Sequence, residues 1–186
     1  QLEEALALAP TSSPVWREYA FFLQSVGRTG EAEAAFTSAL QLNPSNLDAF
    51  AGYARLLSLR GKSEKGEAMA MEALRRAVSA PYWYHEAPAV NALRNGDNAE
   101  ALLQAEALVV GDAELASAIA VTAAHRLKSE DALNRSIAQL LDVTRFRRFG
   151  ILPVLRQRLG DAELRTEIGN ELAAAGIDQA ALNGPH

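Results

Sequence analysis

The chain has 186 residues, a hydrophobic fraction of 49%, no cysteine and a formal net charge of −5 from 18 basic and 23 acidic residues. That balance gives no global attraction to nucleic acid or anionic lipid, and the missing cysteines exclude disulfides, thiolate nucleophiles and cysteine-ligated zinc. No run approaches the roughly 18 apolar residues of a membrane span, so membrane insertion is not expected.

The sequence begins at Gln1 with no methionine, and it reads as a segment of something longer. The stretch Ala5-Leu6-Ala7-Leu8-Ala9-Pro10 returns as Ala39-Leu40-Gln41-Leu42-Asn43-Pro44, 34 positions later. A fixed period of this length is the mark of a helical repeat. Laid on it, the chain gives half a repeat at 1–12 and full units at 13–46 and 47–80. Trp16 then aligns with Phe50, Tyr19 with Tyr53, Ala20 with Ala54, Leu23 with Leu57 and Gly27 with Gly61. Each unit reads as two helices. The first carries large side chains at i, i+3 and i+7, and the second carries small ones that leave room for them.

Past residue 80 the pattern thins. Gly96-Asp97-Asn98-Ala99-Glu100-Ala101 restores a turn, which predicts helices over 81–94 and 97–109. Pro88 falls inside the first of these, where it should kink or delay the helix. A fourth pair is predicted over 113–127 and 129–141, with Ser129 as N-cap. The segment Arg145-Phe146-Arg147-Arg148-Phe149 follows. Asp161 to Ala175 then reads as an amphipathic helix with Leu164, Ile168 and Leu172 on one face, stopped at Gly176. A helical solenoid needs such a cap at its open end. The organisation is therefore repeats over 1–110, a degenerate repeat with a cap over 111–176, and a frayed tail over 177–186.

Residues Trp16, Tyr19, Ala20, Leu23, Gly27, Ala32, Phe36, Ala39 and Pro44 resemble the tetratricopeptide-repeat (TPR) family pattern. Unit 47–80 keeps the first helix and departs in the second, with Gly66 for the usual alanine and Ala70 for the aromatic. The resemblance implies an all-α fold, an α–α superhelix of antiparallel helix pairs. It further implies a concave groove lined by the first helix of each pair, in which partners lie as extended or helical peptides. Groove positions of the family fall here on Arg17, Phe21 and Gln24, on Asp48, Arg55 and Ser58, and on Trp83 and Glu86. Phe21 and Gly52 stand at two places where the subfamily that grips carboxyl-terminal tails needs polar and basic residues, so that clamp is not expected. The stretch from Leu159 through Ile177 is similar to the C-terminal TPR regions of bacterial signalling proteins.

Catalytic chemistry finds no foothold. The three histidines, His85, His125 and His186, have no metal-ligand spacing, and no phosphate-binding glycine loop or nucleophile elbow occurs. No enzymatic activity and no cofactor are expected. Two segments admit two readings each. Pro81-Tyr82-Trp83-Tyr84-His85 supplies either aromatic anchors for a ligand or inter-helix packing. Arg145, Arg147 and Arg148 form either a secondary contact surface for another domain of the parent chain or a solvated helix with two buried phenylalanines. Phosphate binding through them is disfavoured by the acidic whole. The expected function is recognition of a protein, a peptide or a neighbouring domain. The alternatives are an oligomerisation module and a domain that presents substrate to a catalytic domain elsewhere. The sequence points to the cytoplasm and leaves the periplasm open.

Overall fold

The computed structural model describes residues 2–61 and 63–184, so His186 and the last residues of the expected tail lie outside the described part. The described residues form helices and connecting turns, and they divide into two compact units. The first comprises residues 1–58 and 62–80; the second comprises 59–61 and 81–186.

The first unit holds α1 (Leu2–Leu8), α2 (Ser13–Ser25), α3 (Thr29–Leu42), α4 (Leu47–Leu59) and α5 (Ser63–Arg76). Proline in the first turn of α2 costs nothing, because the N–H it lacks has no partner within the helix. Asn46 starts α4: its Oδ1 accepts from the Ala49 N–H at 3.1 Å, and its Nδ2 donates to Ser13 Oγ at 2.8 Å. One side chain thereby caps a helix and ties it to the start of α2. The core gathers around Phe36, which is fully buried. Phe21 meets it edge-on at 5.2 Å, and Tyr53 stacks on it at 6.1 Å. Alanines at 20, 32, 35, 39, 54 and 73 are buried between the helices, and their small volume lets the aromatic rings fill the interior.

Two glycines set the spacing in this unit. A Cβ at Gly52 would stand 2.7 Å from Phe21 Cζ and 2.7 Å from Phe36 Cε1. A Cβ at Gly66 would stand 2.6 Å from Ser58 Oγ and 3.1 Å from the Ala54 carbonyl oxygen. The departure from alanine at Gly66 thus has a steric reason, since α4 and α5 approach too closely there for a methyl group.

The second unit opens with a 3₁₀ turn at Tyr82–His85. It continues through α6 (Glu86–Arg94), α7 (Asn98–Leu108), α8 (Ala113–Arg126) and α9 (Glu130–Asp142), then α10 (Thr144–Phe149), α11 (Ile151–Arg158), α12 (Ala162–Ala174) and α13 (Gln179–Asn183). Pro88 is the third residue of α6, where its missing N–H needs no intrahelical partner. The expected helix over 81–94 is therefore delayed to residue 86, and the 3₁₀ turn takes up the aromatic cluster. Helix α8 is buried continuously from Leu115 to Ala124, as suits a helix enclosed on all sides. Leu164, Ile168 and Leu172 of α12 join the cluster that contains Leu115, Ile119 and Ala123 of α8. Aspartates 97, 112, 161 and 178 cap their helices through their side chains.

The turns within the helix pairs share one conformation. Gly27, Gly61 and Gly96 have φ of +78°, +77° and +77°, the left-handed region. The corresponding turn between α8 and α9 uses Lys128, at φ +55°. Degeneracy of the fourth pair thus extends to its turn residue.

Two expectations need correction. Residues 177–184 are not a frayed tail: they include α13, whose Leu182 is 2% exposed within the core cluster. Gly150 and Gly184, both at positive φ, let the backbones pass so closely that a Cβ on Gly150 would lie 2.3 Å from Gly184 N. Of the two phenylalanines in α10, Phe146 is buried and Phe149 is 47% exposed.

Candidate functional site

Helices α2 and α4 carry the expected recognition residues of the first unit. Arg17 Nη1 donates to Asp48 Oδ2 at 2.9 Å, linking the two helices, and Nη2 and Nε donate to Glu18 Oε1 at 2.5 and 3.2 Å. These groups are partly solvated, so the pair contributes at most about 1 kcal/mol of stability. Its stronger effect is to fix the guanidinium in one orientation, at lower entropic cost to anything that later binds it. Phe21 lies beside it, half-buried on the Phe36 ring. Gln24, one turn further, is half-buried with its Oε1 lacking a hydrogen-bond partner among the described residues. Arg55 of α4 is half-buried on the same unit.

Ser58 does not belong with these residues. It is fully buried, pressed against Gly66 of α5, and cannot reach a ligand. The repeat register put it in the groove; the glycine in α5 draws it inside.

In the second unit the aromatic cluster divides its labour. Tyr84 is buried and meets the half-buried Trp83 edge-on at 4.5 Å. Tyr82 is 44% exposed and its ring lies over Gly111, where a Cβ would come within 2.3 Å of it. His85 Nδ1 stands 2.6 Å from Gln104 Oε1, fastening the 3₁₀ turn to α7.

Glu86, like Ser58, is not where the repeat register put it. It is 2% exposed, with Oε1 3.8 Å from Arg158 Nη2, so its role is internal. Arg158 also meets Asp112 directly and lies 3.6 Å from Glu114 Oε2, while Arg145 donates to both Glu114 oxygens at 3.0 and 3.1 Å. Burial lowers the Arg158 pKa, but Asp112 and Glu86 outweigh it and hold the guanidinium above its ordinary value. This five-membered charge cluster escaped the sequence reading, because its acids sit 31 and more residues apart from their arginines and follow no period. Arg145 is therefore committed within the unit. Arg147 lies 3.4 Å from the exposed Asp142, and Arg148 lies 5.0 Å from the Phe149 ring centre; both stay at the surface.

A second internal knot joins α8 to α12. Arg126 bonds Glu167 at 2.5 Å and Glu171 at 3.0 Å, and His125 Nδ1 stands 2.7 Å from Glu171 Oε2. Among the described residues, no three His, Asp or Glu side chains converge on a point where a metal ion would be held. None of the described helices is long and apolar enough to cross a membrane.

The tetratricopeptide repeat family model matches residues 23–85, from the middle of α2 through the aromatic 3₁₀ turn. No curated protein matches the sequence. Among solved structures, this chain is similar to YrrB, described as a TPR protein with an unusual peptide-binding site. The TM-score is 0.63 at 14% identity, over 97% of this chain and 95% of that one. At that identity the likeness is one of fold.

Proposed function

From a chain with a tetratricopeptide repeat at residues 23–85 and the fold of a TPR protein, we propose a non-enzymatic scaffold that recognises a protein or peptide. The face of α2 and α4 is the recognition surface of the first unit, and Arg17, Phe21, Gln24 and Arg55 are the residues that meet the ligand. The observation that carries this reading is the Arg17–Asp48 pair, which fixes a cation beside the half-buried Phe21. An aromatic ring next to a fixed charge suits a peptide with an apolar side chain flanked by an acidic one. That YrrB is described as having a peptide-binding site supports the same class of ligand. In the second unit, Trp83 is the residue proposed to serve as an aromatic anchor.

The parent is proposed to be a larger bacterial protein, with this region as its regulatory or partner-binding part in the cytoplasm. The test is selection of binders from a random peptide library, followed by affinity measurement against the native chain and an Arg17→Ala/Arg55→Ala variant. Selected peptides should carry an acidic residue beside an apolar one and weaken about tenfold or more on the variant. Equal affinity for native chain and variant would overturn the assignment of the face.

A further inference from the structure

Helices α11, α12 and α13 enclose an open crevice of about 370 Å³ in the second unit, away from every residue assigned above to recognition. Leu152, Leu155 and Leu182 form its apolar wall, and Arg156 and Arg165 are its charged groups, beside the neutral polar Thr166, Asn170 and Gln179. No aspartate or glutamate lines it among the described residues. Neither guanidinium makes an ion pair among the described residues, unlike those of Arg94, Arg126, Arg145 and Arg158, which are matched by acids in a chain of net charge −5.

The arrangement follows from how α12 distributes its side chains. Glu167 and Glu171 face α8 and are engaged by Arg126 and His125. Arg165, Gly169, Asn170 and Ala173 fall on the crevice side, so the helix is acidic toward α8 and basic toward the crevice. Arg165 spends one N–H on the Leu159 carbonyl oxygen and keeps its remaining donors. Arg156 is exposed and makes no hydrogen bond or ion pair among the described residues. Gly169 keeps the crevice floor low: a Cβ there would lie 3.1 Å from Leu152 Cδ2.

We propose that this crevice binds a small amphipathic anion. Its acid head lies between Arg156 and Arg165, and its aliphatic body lies against Leu152, Leu155 and Leu182. Guanidinium N–H groups match carboxylate or phosphate oxygens in paired, charge-assisted hydrogen bonds. The volume falls in the range of small-molecule sites, and one polar end with one apolar wall fixes the ligand's direction.

The test is a titration of the ¹⁵N-labelled chain with octanoate and octyl phosphate, with 1-octanol as the uncharged control, read by amide shifts. Either anion should give saturable shifts confined to residues 152–156, 165–173 and 179–182, and whichever binds tighter identifies the head group. Arg156→Gln should weaken binding by about fivefold or more, the loss of one charge-assisted contact. Ala173→Leu, at an exposed crevice position, should abolish binding by filling the space with no change of charge. Arg156 is exposed and makes no hydrogen bond or ion pair among the described residues, so Arg156→Gln should leave folding unaltered. Octanol binding as tightly as octanoate, undiminished affinity in Arg156→Gln, or no saturable shift at millimolar ligand would each overturn the proposal.

Discussion

Replacing Gly66 by alanine pits local helix preference against the packing of α4 on α5. Alanine is favoured over glycine inside a helix by about 1 kcal/mol, and it is the residue the repeat pattern expects here. The structure places the new methyl group 2.6 Å from Ser58 Oγ and 3.1 Å from both Ala54 O and Ser58 N. The last two are backbone atoms and cannot rotate aside, so the helices must separate by several tenths of an ångström. Overpacking of this kind costs about 1–3 kcal/mol. The net expectation is a loss of about 1–2 kcal/mol, or a Tm lower by about 2–8 °C for a chain of this size. Thermal unfolding followed by circular dichroism measures it. Gly30→Ala in α3 is the control, because nothing lies within 4 Å of its added Cβ, and it should hold or raise the Tm. Ser58→Ala combined with Gly66→Ala should recover part of the loss, a coupling of about 0.5–1 kcal/mol between touching residues. A Tm for Gly66→Ala at or above that of the native chain would refute the reasoning.

Leu182→Ala empties a buried position in α13 and should cost about 2 kcal/mol or more in urea unfolding, whereas a frayed tail would lose nothing. Lys128→Gly removes a left-handed backbone strain of about 1–2 kcal/mol, partly offset by the freer unfolded chain, and should raise the Tm slightly. Acid should destabilise the second unit. Burial raises the Asp161 pKa, but the Leu164 N–H and the Arg94 guanidinium outweigh it and hold the group below its ordinary 3.8. Burial likewise raises that of Glu171, while His125 and Arg126 bring it below 4.5. Both contributions are complete above those ordinary values and vanish as pH falls through the lower folded-state ones. Unfolding free energy measured from pH 6 downward should therefore decline in that window, and Asp161→Asn should flatten the decline.

The helical pairs were legible because their signal is periodic. Pro10 and Pro44 fix the phase, and the alignment of Tyr19 with Tyr53 and of Leu23 with Leu57 marks the buried stripe of each first helix. The stripe Leu164, Ile168 and Leu172 was legible in the same way, being one helical face long enough to stand out. Helix α13 has only five residues and one buried leucine, too short for a period to form; Leu182 packs into the core cluster, and the Gly150–Gly184 approach lets the distant segments meet. At the proposed recognition face, a register argument picks Arg17 and Phe21 of α2, both of which are half-buried. It fails for Ser58 and Glu86, because burial there depends on what the next helix brings: Gly66 in one case and Arg158 in the other. The crevice arginines gave no signal as a pair, since Arg156 and Arg165 lie on different helices and are joined only by folding.

The central claim is that α2 and α4 present the surface that meets a peptide. Hydrogen–deuterium exchange of the native chain, with and without a saturating library-selected peptide, tests it most directly. The account predicts slowed exchange confined to residues 14–25 and 47–58 within the first unit, absent when Arg17→Ala/Arg55→Ala replaces the native chain. Protection located instead on α3, α5 or α10, or protection unchanged in the variant, would contradict it.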